Sequence, residues 1–145
     1  MRFRPKQKST SFLKSWSKPE DRLCREVDAM IIVRIIMHVL PEKQKEVVQT
    51  LQSLMVPMER EAGCLSYALL CDMKNQNLLC VLEEWENRNK LEHHLKSDIF
   101  GVLLGTKSLL HQPHDIHIDT VQQSEGMNAV LAARGKHRDV ASKGS

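Results

Sequence analysis

The sequence predicts an α+β domain of the split β-α-β kind, an antiparallel sheet with helices on one face. Three observations carry this reading. Residues 30–39, 64–73 and 78–85 are strand-like runs, and the first of them is rich in β-branched side chains and apolar on both faces. A helical pattern lies between the first and second runs, and a tight polar loop joins the second to the third. A helical pair then precedes a last, alternating segment, so the order is strand, helix, strand, strand, helix pair, strand.

The first strand, MIIVRIIMHV at residues 30–39, is interrupted only by Arg34 and His38. Leu40-Pro41-Glu42 opens the first helix, with proline in the first turn and a carboxylate near the positive end of the dipole. Val47, Val48, Leu51, Leu54, Met55 and Met58 follow at spacings of three and four and form its apolar face. Pro57 forfeits one backbone bond, so a kink or an early end is expected there. Gly63 suits a left-handed position past the helix end.

Cys64–Met73 and Leu78–Trp85 read as a hairpin around Lys74-Asn75-Gln76-Asn77. Asn87 is placed to cap a short helix running to about Lys96, and Ser97 or Asp98 to cap a second one carrying Phe100, Val102, Leu103, Leu104 and Leu110. Pro113 stops it. His114–Val121 alternates polar and apolar residues, as a half-buried strand does. The whole is a ferredoxin-like arrangement. Its helices cover one sheet face, yet Ile32 and Ile36 oppose Ile31, Val33 and Ile35, so a symmetric partner sheet is expected on the other face. A homodimer is predicted.

A chain of 145 residues with 41% apolar and 27% charged side chains suits one globular domain with tails. Residues 1–29 read as a basic, disordered leader, 30–121 as the domain and 122–145 as a polar tail in which Met127–Arg134 can form a helical turn or two. The alternative for the leader is extra translated sequence ahead of a start at Met30. Net charge is +4 in the leader, −3 in the domain and +2 in the tail. An acidic middle does not suit a phosphate backbone, so no nucleic acid is expected. Neither a signal-peptide run nor roughly 18 uninterrupted apolar residues occurs, and no membrane association is expected. Cys24, Cys64, Cys71 and Cys80 form no CxxC pair; the last three fall in apolar segments and read as core, which fits a reducing, cytoplasmic setting.

Chemistry centres on EEWENRNKLEHHLKSDIF, residues 83–100. A helix turns about 100° per residue, so with Leu91 and Leu95 buried, His93 faces solvent and His94 borders the core. His94 is then either a hydrogen-bonded histidine at the helix–sheet seam or a general acid/base or polar anchor. Trp85 ends the third strand as core anchor or as a wall for a flat aromatic ligand. Glu83 shares its face and needs a partner, for which Arg34 is a candidate. Tyr67 offers a hydroxyl to a ligand or packs. His38 lines a pocket or is satisfied core. His111 and His114 flank a proline loop and are expected in solvent. His114 and His117 lie on opposite strand faces and cannot share a metal. HExxH, GxSxG and glycine-rich phosphate loops are missing, so nucleotide and metal chemistry are unsupported.

The Pro-Glu-Lys helix start, Glu59-x-Glu61-Ala62-Gly63-Cys64-Leu65-x-Tyr67, Leu82-Glu83-Glu84-Trp85 and Leu91-x-x-His94-Leu95-x-Ser97-x-x-Phe100 together resemble the antibiotic biosynthesis monooxygenase family. The resemblance spans residues 30 to about 121. It implies a dimeric α+β barrel of two ferredoxin-like protomers. Some members oxidise polycyclic phenols or quinols with dioxygen and without metal or flavin. The family histidine carries over to His94 and the family tryptophan to Trp85. Ile99 stands where quinol-oxidising members often have a second histidine, and residues 101–105 hold no histidine of the kind that holds iron in haem-degrading relatives.

These readings lead to a cofactor-independent monooxygenase acting on a small phenolic or quinol substrate, with His94 as proton acceptor or anchor and Trp85, Tyr67, Glu83, Arg34 and His38 as substrate-binding candidates. The rivals are an isomerase acting on a small oxygenated metabolite and a dimeric ligand-binding or stress-response module without turnover.

Overall fold

The computed structural model describes residues 28–135; the expectations for the leader before Asp28, for Cys24 and for the last ten positions lie outside the described residues. Strand β1 (Ile31–His38) leads through a 3-10 turn (Pro41–Lys43) into helix α1 (Gln44–Glu59). The hairpin β2 (Cys64–Cys71) and β3 (Leu78–Trp85) follows. Helices α2 (Arg88–Leu95) and α3 (Asp98–Gly105) and a 3-10 turn (Thr106–Leu109) precede β4 (Asp115–Thr120), and α4 (Met127–Ala133) comes last. The sheet order is β2-β3-β1-β4 and its pairings are antiparallel. This is the α+β, ferredoxin-like fold that the order of elements predicts.

Strand alternation decides which side chains meet the helices. Ile31, Val33, Ile35 and Met37 of β1 and Leu79, Val81, Glu83 and Trp85 of β3 are all buried on the helix side. From α1, Val47, Leu51, Leu54 and Met58 pack down onto them, with Leu91 of α2 and Phe100 and Leu103 of α3. Helix α1 runs on through Pro57 to Glu59, and Arg60 N still bonds Val56 O at 3.3 Å. Of the kink or early end expected there, the early stop at Pro57 is not seen: the helix continues two residues further, the proline forfeiting only its own N–H bond.

The opposite face is open in the single chain. Ile32, Ile36, Ala68, Leu78, Cys80 and Leu82 are only half-buried there, and Leu70 is 47% exposed. Two polar pairs interrupt this apolar surface: Arg34 Nη2 to Asp119 Oδ2 at 3.2 Å, and Ser66 Oγ donating to Glu84 Oε1 at 2.9 Å. Among the described residues no helix is long and apolar enough to cross a membrane.

Candidate active site

Four elements bring the site together. Helix α2 starts where the Asn87 side chain accepts from Lys90 N at 2.9 Å, and its register turns Leu91 and His94 inward. Ser97 then closes one helix and opens the next: its hydroxyl donates to His94 O at 2.7 Å and accepts from Phe100 N at 3.2 Å. On β3, Glu83 pairs with Val33 on one side and Tyr67 on the other, which places it mid-sheet. The turn between α1 and β2 supplies Glu61, whose N–H donates to Met58 O and whose carbonyl accepts from Cys64 N, both at 3.1 Å. Gly63 makes that turn possible. Its φ is 86°, and a Cβ there would overlap the Lys90 side chain near its root.

His94 is the hub. It is fully buried, with Nδ1 2.6 Å from Glu61 Oε1 and Nε2 3.4 Å from Glu83 Oε2. The second approach is an ionic contact outside hydrogen-bond geometry. The imidazole stacks on the Trp85 indole with centroids 4.4 Å apart and planes at 26°, and meets the Phe100 ring edge-on at 5.0 Å. Trp85 Nε1 donates to Glu83 Oε2 at 2.8 Å. Burial is the largest single influence on the His94 pKa and lowers it; Glu83 and then Glu61 outweigh that and raise it above the ordinary histidine value. An indole face against a protonated imidazole, and the C-terminal turn of α2, favour the same charge state.

Around this hub, buried polar atoms go unmatched. Glu83 Oε1, Tyr67 Oη and His94 Nε2 have no hydrogen-bond partner. Burial, with Glu83 next, pushes the Tyr67 pKa well up, so its hydroxyl stays protonated. Cys64 is half-buried and its thiol is pushed up to about 11, first by burial and then by Glu83, Glu61 and Glu59, which makes it a poor nucleophile.

The structure gathers His94, Trp85, Glu83 and Tyr67 under the helices, and it adds Glu61 and Phe100. Arg34 and His38 are not with them. They occupy even positions of β1, whose side chains point to the open face, whereas Glu83 pairs with Val33 on the helix side. Arg34 is therefore the partner of Asp119 and not of Glu83. His93 is exposed. His114 is half-buried instead of solvated, with Nε2 2.9 Å from Thr106 Oγ1; burial lowers its pKa. None of the three thiols Cys64, Cys71 and Cys80 is core: Cys71 is exposed, Cys80 is half-buried on the open sheet face, and Cys64 is half-buried against the edge of the core. Among the described residues no three His, Cys, Asp or Glu side chains group as metal ligands would; Glu61 and Glu83 approach different ring nitrogens of His94.

Fold and site together define a class: a small ferredoxin-like domain with an imidazole clamped between carboxylates beneath its helices. The family model described as "Antibiotic biosynthesis monooxygenase" matches residues 30–103. The chain belongs to that family. It is 30% identical over 88 residues to "Putative monooxygenase YcnE" of Bacillus subtilis (strain 168), covering 60% of this chain and 93% of that protein. It is 29% identical over 111 residues to "Uncharacterized protein sll1783" of Synechocystis sp., covering 74% and 76% respectively. Among solved structures, a conserved protein from Methanosarcina mazei Go1 superposes with a TM-score of 0.62 at 28% identity, covering 67% of this chain and 97% of that one. The crystal structure of an antibiotic biosynthesis monooxygenase shares the fold at a TM-score of 0.60 and 22% identity, covering 64% and 99%.

Proposed function

We propose that the chain is a monooxygenase that oxidises a small phenolic or quinol substrate with dioxygen and no cofactor, as a cytoplasmic homodimer. The observation that carries this reading is the set of unmatched buried polar atoms on Tyr67, Glu83 and His94, the last packed against two aromatic rings. Buried polar groups without partners are costly unless something else satisfies them, and a ligand hydroxyl does so. An aromatic alcohol also suits the apolar walls that Trp85 and Phe100 offer.

The chemistry asks little of the protein. The ionised substrate gives an electron to dioxygen, one oxygen atom enters the ring, and the other leaves as water. For a phenol with a free para position, the phenol and dioxygen yield a quinone and water with no outside reductant. The protein excludes water, orients the ring and handles the hydroxyl proton, with His94 as acceptor or anchor. The half-buried apolar face of the sheet supports the homodimer, since a partner sheet removes it from water. Free Cys64, Cys71 and Cys80 fit a reducing compartment.

Oxygen uptake with a panel of quinols and hydroxynaphthalenes tests the reading. Uptake is expected with at least one compound and falls in His94→Ala. Unchanged uptake in that variant removes His94 from the mechanism. Uptake with none of the panel overturns the oxidative role in favour of isomerisation or of ligand binding without turnover.

A further inference from the structure

Every donor that approaches Glu83 converges on one of its two oxygens. Trp85 Nε1 donates to Oε2 at 2.8 Å, and His94 Nε2 comes within 3.4 Å of the same atom. Oε1 is buried and has no partner. Directly across the β2–β3 ladder stands Tyr67, on the same sheet face and 5% exposed, with a hydroxyl that also has none. An unmatched acceptor and an unmatched hydroxyl thus belong to paired residues on one sheet face, in a water-poor interior.

The imidazole is badly placed to accept a proton. A carboxylate only accepts hydrogen bonds, so Nδ1 must carry hydrogen to bond Glu61 Oε1 at 2.6 Å. An unprotonated Nε2 would turn its lone pair toward Glu83 Oε2 at 3.4 Å. With hydrogen on both nitrogens the ring has no lone pair to offer.

We propose that Glu83, through Oε1, takes the proton from the hydroxyl of a bound phenol or quinol, that Tyr67 Oη donates a hydrogen bond to the resulting oxyanion, and that His94 is a positioning residue. This rests on the monooxygenase reading for its substrate class. In the step, the substrate O–H bond breaks and its electron pair stays on the substrate oxygen, while a new O–H bond forms at Glu83 Oε1. One negative charge moves from the carboxylate to the substrate, and none is created. A buried site tolerates that better than the separation of a new ion pair. His94 and Trp85 hold Oε2 throughout, which fixes the direction in which Oε1 points. Glu61, with a side chain 15% exposed, joins His94 to the solvent side.

Binding of 4-nitrophenol, followed by its phenolate absorption in a buffer more acidic than its own pKa, tests the proposal on the full chain. The parent protein is expected to bind the probe and convert it to phenolate. Glu83→Gln keeps an acceptor for Trp85 but has no basic oxygen; the probe should bind it within about tenfold of the parent affinity and stay neutral. Tyr67→Phe should bind it more weakly and yield less phenolate. His94→Gln should still yield phenolate. Turnover by Glu83→Gln on any oxidised substrate should fall roughly 100-fold or more in kcat with little change in KM. Phenolate formed on Glu83→Gln, or lost on His94→Gln while the probe still binds, transfers the role to His94 and overturns the proposal, as does failure of the probe to bind the parent. The ionisation readout consumes no dioxygen, so a failed monooxygenase reading and a failed Glu83 assignment give different results.

Discussion

Glu83 and Tyr67 face each other as a cross-strand pair on the buried side of the sheet, each with an oxygen that no protein group satisfies. A carboxylate in that position survives only because a hydrogen bond reaches it from its own strand and a charge from helix α2. His94 and Trp85 supply them. The stability of the domain and the integrity of its site are therefore coupled through His94.

Removing the imidazole leaves Glu83 as a buried charge without its cation. Breaking such a pair costs roughly 3–5 kcal/mol, and His94→Ala adds a cavity between Trp85 and Phe100. Urea unfolding of His94→Ala should show a midpoint lowered to match. A loss within about 0.5 kcal/mol, the usual effect of a surface change, would mean that the clamp carries no net stabilisation.

The same clamp gives a signed dependence on pH. The native His94 pKa is raised, so folding binds the imidazole proton more tightly than the unfolded chain does. Its contribution is complete below the unfolded histidine pKa, about 6.5, and declines as pH rises through the higher native value. The groups facing the ring are Glu83, Glu61, Trp85 and Phe100. Unfolding free energies collected across that window should fall with pH in the parent protein and flatten in His94→Gln. An identical slope in both would assign the dependence to another group.

Gly63 holds the turn that delivers Glu61. An alanine there would be strained at φ 86° and would strike Lys90 near its backbone, where the side chain cannot swing aside. Left-handed backbone costs a non-glycine residue roughly 1–2 kcal/mol, and overpacking about 1–3 more. Gly63→Ala should lower the melting temperature by several degrees and weaken binding at the site, because Glu61 moves with the turn. Wild-type melting would show that the loop yields freely.

The open sheet face predicts assembly. Sedimentation of the parent protein at micromolar concentration should report a dimer. Leu82→Arg, which sets a second cation directly opposite Arg34 and beside Ala68 on that face, should report a monomer with the helix-side core intact. A parent protein that sediments as a well-folded monomer would remove the partner sheet.

Much of this architecture is legible in the sequence because it follows from local pattern. The alternation of Leu79, Val81, Glu83 and Trp85 places all four on one face, and the spacing of Leu91 and His94 turns the histidine inward. What fails is information between elements. Arg34 looks like a partner for Glu83 until register is known, and register pairs Glu83 with Val33, one residue earlier and on the other side. Glu61 reads as the polar end of a helix, since nothing in its spacing reveals contact with a side chain 33 residues on. Its place in the Glu-x-Glu-Ala-Gly stretch was the available signal. Phe100 reads as helix core, which it is, but its edge also closes the imidazole pocket.

The indole of Trp85 lies flat against His94, and it is the sole tryptophan among the described residues. A protonated imidazole in such contact quenches indole emission, and a neutral one does so far less. With Trp16 replaced by phenylalanine, the protein's own fluorescence becomes an optical gauge of the charge on its central ring, readable without label, substrate or assay.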